Sequence, residues 1–254
     1  MTENSLKAGL AARRRLQGFW LSLCSPAVSE IAAQSGADWV LLDMEHAPND
    51  LSMMADQLRA ARSGGAEPVV RPPFSEQVMT KRLLDIGARS LMFPMIQNSD
   101  MAAEAVSWTR YPPHGVRGHS GTMRANDYGR RKGYLQTYAR DLCVIVQVET
   151  QEAIDNIPEI AATEGVDGIF IGPGDLASSM GRVGEVAASE VQAEIRRATE
   201  AAHAAGKAVG ILGYGEDAAR RYQEAGIEFV AIGGDAWLLV RAMDDLLQKV
   251  RQDA

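Results

Sequence analysis

The chain has 254 residues, with 33 Asp and Glu against 26 Lys and Arg, a formal charge of −7 and a pI near 5.2. That acidic balance argues against nucleic acid or an anionic membrane as the main partner. A composition 46% hydrophobic and 23% charged is that of an ordinary globular domain, and no apolar run approaches the ~18 residues needed to span a bilayer.

Near the N-terminus, Arg13, Arg14 and Arg15 precede a short apolar segment, Phe19 to Cys24, without a cleavage-site pattern, so no secretory leader is expected. Cys24 and Cys143 are the only cysteines, too few for a disulfide framework or a thiolate metal cluster. Both read as small core residues on strands, and the cytoplasm is the expected compartment.

Residues 1–16 are expected to form a short helix, with Leu6 and Leu10 closing one end of the fold. Short apolar runs then recur: Gly18–Leu23, Trp39–Asp43, Glu67–Arg71, Ser90–Pro94, Cys143–Glu149, Gly168–Ile171, Ala208–Leu212 and Phe229–Gly233. Most are continuous, as expected of parallel strands buried on both faces. Helical spacing fills the gaps. Asn49 or Asp50 can cap a helix carrying Leu51, Met54, Leu58 and Ala61, and Ser75 one carrying Val78, Leu83 and Ile86. Thr150 opens a helix restarted around Pro158, Ser189 precedes an Ala-rich helix closed by Gly206, and Asp235 opens the last, 235–254. Strand–helix alternation repeated eight times predicts one (β/α)₈ barrel domain over 1–254, with a doubly wound open sheet as competitor. Residues 110–142 are the unusual connection, read as a functional loop on the strand-to-helix side.

In such a barrel, chemistry sits at the C-terminal ends of the strands. The second run ends Asp43-Met44-Glu45-His46, the third at Arg71, the fifth Gln147-Val148-Glu149 and the sixth Gly172-Pro173-Gly174-Asp175. Glu149 and Asp175 follow wholly apolar runs, where an unpaired carboxylate is expensive. A hard divalent cation relieves that cost and leaves coordination positions for substrate. The alternatives are that Glu149 caps the following helix or that both acids pair with arginines. His46, one of four histidines, can form an acid/base dyad with Asp43, or simply bond the backbone. Arg71 suits an enolate or carboxylate oxygen, or a structural ion pair with Glu149 or Asp43. The small residues Gly172, Pro173 and Gly174 match the G-x-G-x-x-A dinucleotide pattern weakly and better suit close approach of an anion to a helix start. None of the five lysines ends a strand, which disfavours Schiff-base chemistry and leaves a metal as the electron sink.

The stretches Gly18-Phe19-Trp20-Leu21, Asp38 to Asn49, Arg110-Tyr111-Pro112-Pro113 with Gly115, Arg117 and Gly118, Gln147 to Thr150, and Gly168 to Ala177 closely resemble the HpcH/HpaI aldolases, from about Leu6 to Val250. These are class II, metal-dependent pyruvate aldolases on a (β/α)₈ barrel. The resemblance makes Glu149 and Asp175 metal ligands and Arg71 the group that binds pyruvate and stabilises its enolate. It makes His46, supported by Asp43, the acid/base group. Gln147 and the backbone of Gly172–Gly174 would bind keto-acid oxygens, and Trp20 would line the aldehyde side. Asp85 matches an acidic rim position that a neighbouring subunit can supply. It further implies a hexamer built as a trimer of dimers, with the last helix exchanged between subunits. The sequence departs from the family where Gly174 replaces a common Ser, at His114, and over residues 119–128. Those departures leave the acceptor open.

The implied reaction is reversible aldol cleavage of 4-hydroxy-2-oxo acids to pyruvate, or a close 2-oxo acid, and an aldehyde. Mg²⁺, Mn²⁺ or Co²⁺ would stabilise the enolate, and the aldehyde is expected to enter beside the long loop. Oxaloacetate decarboxylation, citrate-lyase-like cleavage of a CoA thioester and a non-enzymatic small-acid binding barrel are the rivals. The thioester reading needs a basic groove that the sequence does not offer.

Overall fold

Alternating apolar runs and amphipathic stretches translate into alternating strands and helices across residues 3–252, which the computed structural model describes. The order begins α1 (Ser5–Ala11), β1 (Leu16–Leu21), α2 (Pro26–Gln34), β2 (Trp39–Asp43), α3 (Leu51–Ala61), β3 (Glu67–Arg71), α4 (Gln77–Asp85) and β4 (Ser90–Phe93). It continues α5 (Ser99–Thr109), α6 (Tyr134–Asp141), β5 (Cys143–Val148), α7 (Gln151–Asp155), α8 (Ile157–Ala162) and β6 (Gly168–Ile171). The last elements are α9 (Pro173–Ser179), α10 (Ser189–Ala204), β7 (Ala208–Leu212), α11 (Glu216–Glu224), β8 (Phe229–Gly234) and α12 (Asp235–Gln252). All eight strands are parallel and close in chain order, β8 pairing with β1. The expected helices 1–16 and 235–254 both run past the described residues, at 1–2 and 253–254.

Strand alternation sorts the core into two layers. Val40, Leu42, Val70, Val144, Val146, Ile169 and Ile171 face the helices. Leu41, Val69, Ile145, Phe170 and Phe229 fill the barrel with Trp39. Gly18 and Gly210 are needed there, since a Cβ on either would overlap the Trp39 or Phe229 ring. Trp39, Phe170 and Phe229 form a mutual aromatic cluster, with centroids 5.7 to 6.4 Å apart. Leu6 and Leu10 of α1 join this cluster, so α1 stoppers the N-terminal mouth.

Several local expectations are corrected. β1 begins at Leu16, two residues early, because Leu16 pairs with Phe229 of β8. The α4 cap is Glu76, whose carboxylate accepts from Val78 and Met79 N–H; the Ser75 hydroxyl donates instead to the Pro94 carbonyl. Cys143 lies on a strand, but Cys24 lies beyond β1 in a left-handed turn. Residues 110–142 join α5 to β5, a helix-to-strand connection. The segment therefore belongs to the opposite side from that expected, and it contains a 3₁₀ turn (Arg124–Asn126) and α6.

Candidate active site

The same alternation that buries Trp39 and Leu41 points Asp43 inward at the C-terminal end of β2. Val69 likewise precedes Arg71 on β3, and Ile145 precedes Gln147 on β5. Asp43 and Arg71 are register partners across the β2–β3 ladder. Their side chains meet in a two-pronged pair, Arg71 Nε to Asp43 Oδ1 at 2.8 Å and Nη2 to Oδ2 at 2.7 Å. Trp20 Nε1 and the Glu45 amide also donate to Asp43, at 3.2 and 3.0 Å. Burial alone would raise the Asp43 pKa, but the Arg71 bonds and charge outweigh it and hold the carboxyl below its ordinary value.

Arg71 is held on three sides. Beyond Asp43, its Nη1 lies 2.6 Å from Glu45 Oε2, and its guanidinium sits 4.6 Å from the Trp20 ring centroid. Five N–H groups against three such bonds leave one donor each on Nη1 and Nη2 for another oxygen. Glu45 was not singled out from sequence, although it stands beside His46. The expected Asp43–His46 dyad is absent among the hydrogen bonds of the described residues: Asp43 is committed to Arg71 instead, and His46 is exposed at the cleft edge.

Glu149 lies immediately after β5 and is 1% exposed. Its carboxylate accepts from the Met95 amide at 2.8 Å and from Gln147 Nε2 at 2.6 Å. Burial, with the charges of Asp175 and Glu45 added, pushes its pKa up to about 7 despite the Met95 bond. Gly172 lies against it, and a Cβ there would overlap the carboxylate. Asp175 stands exposed in the first turn of α9. Two further observations bear on what fits here. Gln147 Oε1 is buried without a partner, and Glu149 resists ionisation because burial and the neighbouring acids outweigh the charge of Arg71. An all-oxygen set of two acids and an amide suits a hard divalent cation that keeps water or substrate in its remaining positions. No group of three or more His, Cys, Asp or Glu side chains among the described residues is arranged to hold a metal alone. Neither alternative for Glu149 is seen among the described residues: Thr150 caps α7, and the arginine ion pairs near the cleft go to Asp43 and Glu45.

Trp20, Asp43, His46, Arg71 and Gln147 line one cleft of about 290 Å³ at the C-terminal end of the barrel. Gly172, Pro173, Gly174 and Asp175 close its β6 side, and Phe170 forms part of its floor. Ser22, Leu212 and Tyr214 also line it and were missed from sequence; Leu212 ends β7 and the other two follow strands, but none carries a charge to mark it. Asp85 is not among the lining residues. It ends α4 and pairs with the buried Arg117 at 2.9 Å. His119 packs near Tyr111, His203 contacts Glu228, and His114 lines a separate cavity beside α5. No lysine lines the cleft.

The chain as a whole is similar to known proteins. Residues 16–242 match the family described as HpcH/HpaI aldolase/citrate lyase. A 4-hydroxy-2-oxo-heptane-1,7-dioate aldolase from Escherichia coli is 48% identical over 245 residues, covering 96% of this chain and 94% of the relative. An aldolase of the same name from Klebsiella pneumoniae is 44% identical over 252 residues, covering 99% and 95%. Such aldolases are carbon–carbon lyases. The crystal structure of an HpcH/HpaI aldolase/citrate lyase family protein from Burkholderia cenocepacia superposes with a TM-score of 0.95 at 46% identity, covering 98% of this chain and 99% of the other. With a family match, sequence identity and superposition that each span most of its length, the chain belongs to the HpcH/HpaI aldolase/citrate lyase family.

Proposed function

We propose that this protein catalyses reversible cleavage of 4-hydroxy-2-oxo acids into pyruvate, or a close 2-oxo acid, and an aldehyde. The observation that carries the reading is the convergence of a pre-clamped guanidinium, Asp175 and a histidine on one cleft, with the buried Glu149 carboxylate held directly behind its Gln147 and Gly172 lining. Glu149 and Asp175 hold a divalent cation, with Mg²⁺, Mn²⁺ and Co²⁺ all compatible with oxygen ligands. When bound, the cation supplies Lewis-acid stabilisation of negative charge on the keto acid. Arg71 directs its two remaining donors to the oxygen where charge develops, and Asp43 and Glu45 keep it there without rearrangement. Gln147 and the first-turn amides of α9 orient the keto-acid oxygens. His46 removes the 4-hydroxyl proton in cleavage and returns a proton to C3, directly or through one water. Trp20 lines the aldehyde side.

The test is exchange of pyruvate methyl protons with deuterated water, which needs no aldehyde. Exchange that requires added divalent cation, and that is lost in Glu149→Ala, Asp175→Ala and Arg71→Ala, is the expected result. Absence of exchange in the cation-loaded wild type would overturn the reading.

The same reading makes the protein a homo-oligomer, a hexamer assembled as a trimer of dimers, with α12 exchanged between subunits. In support, Leu238, Leu239, Val240, Met243, Leu246, Leu247 and Val250 of α12 are all exposed. Asp85 then acts at a neighbour's cleft. A cytoplasmic site of action fits the two free cysteines, and no helix among the described residues is long and apolar enough to cross a membrane.

A further inference from the structure

The long helix-to-strand connection builds a second polar cavity at the opposite end of the barrel. This cavity measures about 170 Å³ and is lined by Arg62, Arg89, Arg124 and Arg131, with Asp127 and Asp141 as its acids. Four guanidiniums face Asp127 and Asp141 in the lining and Glu67 beside it, an excess of one positive charge on a chain whose net charge is −7.

The arginines arrive from different elements. Arg62 caps α3, Arg89 precedes β4, and Arg124 and Arg131 come from the connection itself. Arg124 Nη1 donates to the Ile86 carbonyl at 2.7 Å, and Arg62 Nη2 to the Gly87 carbonyl at 3.0 Å. Two guanidiniums are thus drawn onto consecutive carbonyls just past the C-terminus of α4. Gly87 permits this, with φ at +99° and no Cβ to strike Arg124. Arg89 is paired with Glu67, and Arg131 with Asp141 at 3.1 Å, while Arg131 Nη1 is buried without a partner. Burial, and then the charge of a neighbouring arginine, lowers the pKa of both Arg62 and Arg124. Gathered like charges in a half-buried cavity are costly unless an anion shares it.

We propose that this cavity binds a small dianion, either hydrogen phosphate or a short dicarboxylate, through Arg62, Arg124 and Arg131. Guanidiniums suit both ligands, since each presents paired oxygens to a planar fork of donors. The volume admits a phosphate or a four-carbon diacid and excludes a nucleotide. Occupancy ties the 110–142 connection to α3 and α4 and stiffens the N-terminal face. The assignment is independent of the chemistry at the other end.

The test is calorimetric titration of the full-length protein with inorganic phosphate and, separately, succinate. Mg²⁺ and saturating pyruvate are present throughout to fill the cleft, with chloride at matched ionic strength as control. Saturable binding of one dianion per chain is expected, weakened at least tenfold in Arg124→Gln and in Arg62→Gln, together with a ligand-dependent rise in Tm that both variants lose. Either variant suffices if the other fails to fold, and both keep wild-type methyl-proton exchange. Preference for phosphate or for succinate identifies the ligand class. No saturable binding of either, or binding unchanged in the folded variants, overturns the proposal and leaves the arginines as caps for α4.

Discussion

At the scale of single residues, the site rests on pairs whose charge states depend on one another. Glu149 has a folded pKa of about 7 against 4.5 for an ordinary glutamate, so the folded cation-free protein holds a proton that the unfolded chain releases. Stability contributed by that proton is fully present below about pH 4.5 and lost as pH rises through 7. The Tm of the chelated protein should therefore fall over that interval, and Glu149→Gln should flatten the fall, checked by calorimetry across pH. A Gly172→Ala substitution should lower kcat at least tenfold while leaving the fold intact, because the added methyl displaces the Glu149 carboxylate; steady-state rates with circular dichroism decide it. Much of this site was legible. Asp43, Arg71, Gln147 and Glu149 end apolar runs with the parity that turns them inward. The Arg71–Asp43 pair was named from sequence only as an alternative to the Asp43–His46 dyad. His46 is three residues away in sequence, whereas Arg71 is adjacent only through strand register, which no single run of residues reveals.

At the scale of elements, the apolar runs located every strand, since continuous burial on both faces leaves little else for them to be. Boundaries drifted where pairing rather than composition sets them, as at Leu16. The long connection was assigned to the wrong side because its Arg, Pro and aromatic residues resemble an active-site loop. Its position between α5 and β5 carries it to the stopper side. That side matters for stability. Leu10 of α1 is 2% exposed inside the barrel. Leu10→Ala should cost about 2–5 kcal/mol, as large-to-small core changes do, measured by urea unfolding, with methyl-proton exchange at the far mouth retained.

Across the whole molecule, apolar surface is concentrated on α12, which touches its own barrel mainly near β1 and β8. An exposed apolar patch of this kind marks an interaction surface. Under the proposed assembly, Leu239→Asp combined with Leu246→Asp should shift the protein to smaller species in sedimentation velocity. A wild-type chain sedimenting as a monomer would remove the assembly from the reading.

The packed aromatic floor and the α1 stopper make the barrel a blind tube with a single doorway. Under the proposed reaction, the 2-oxo acid sits innermost, against Arg71 and Gln147, and the aldehyde nearer the threshold. The two fragments of a cleaved acid must then queue, with the aldehyde departing first and the keto acid last. In the joining direction the order of arrival is reversed, so an aldehyde that enters early blocks its own partner.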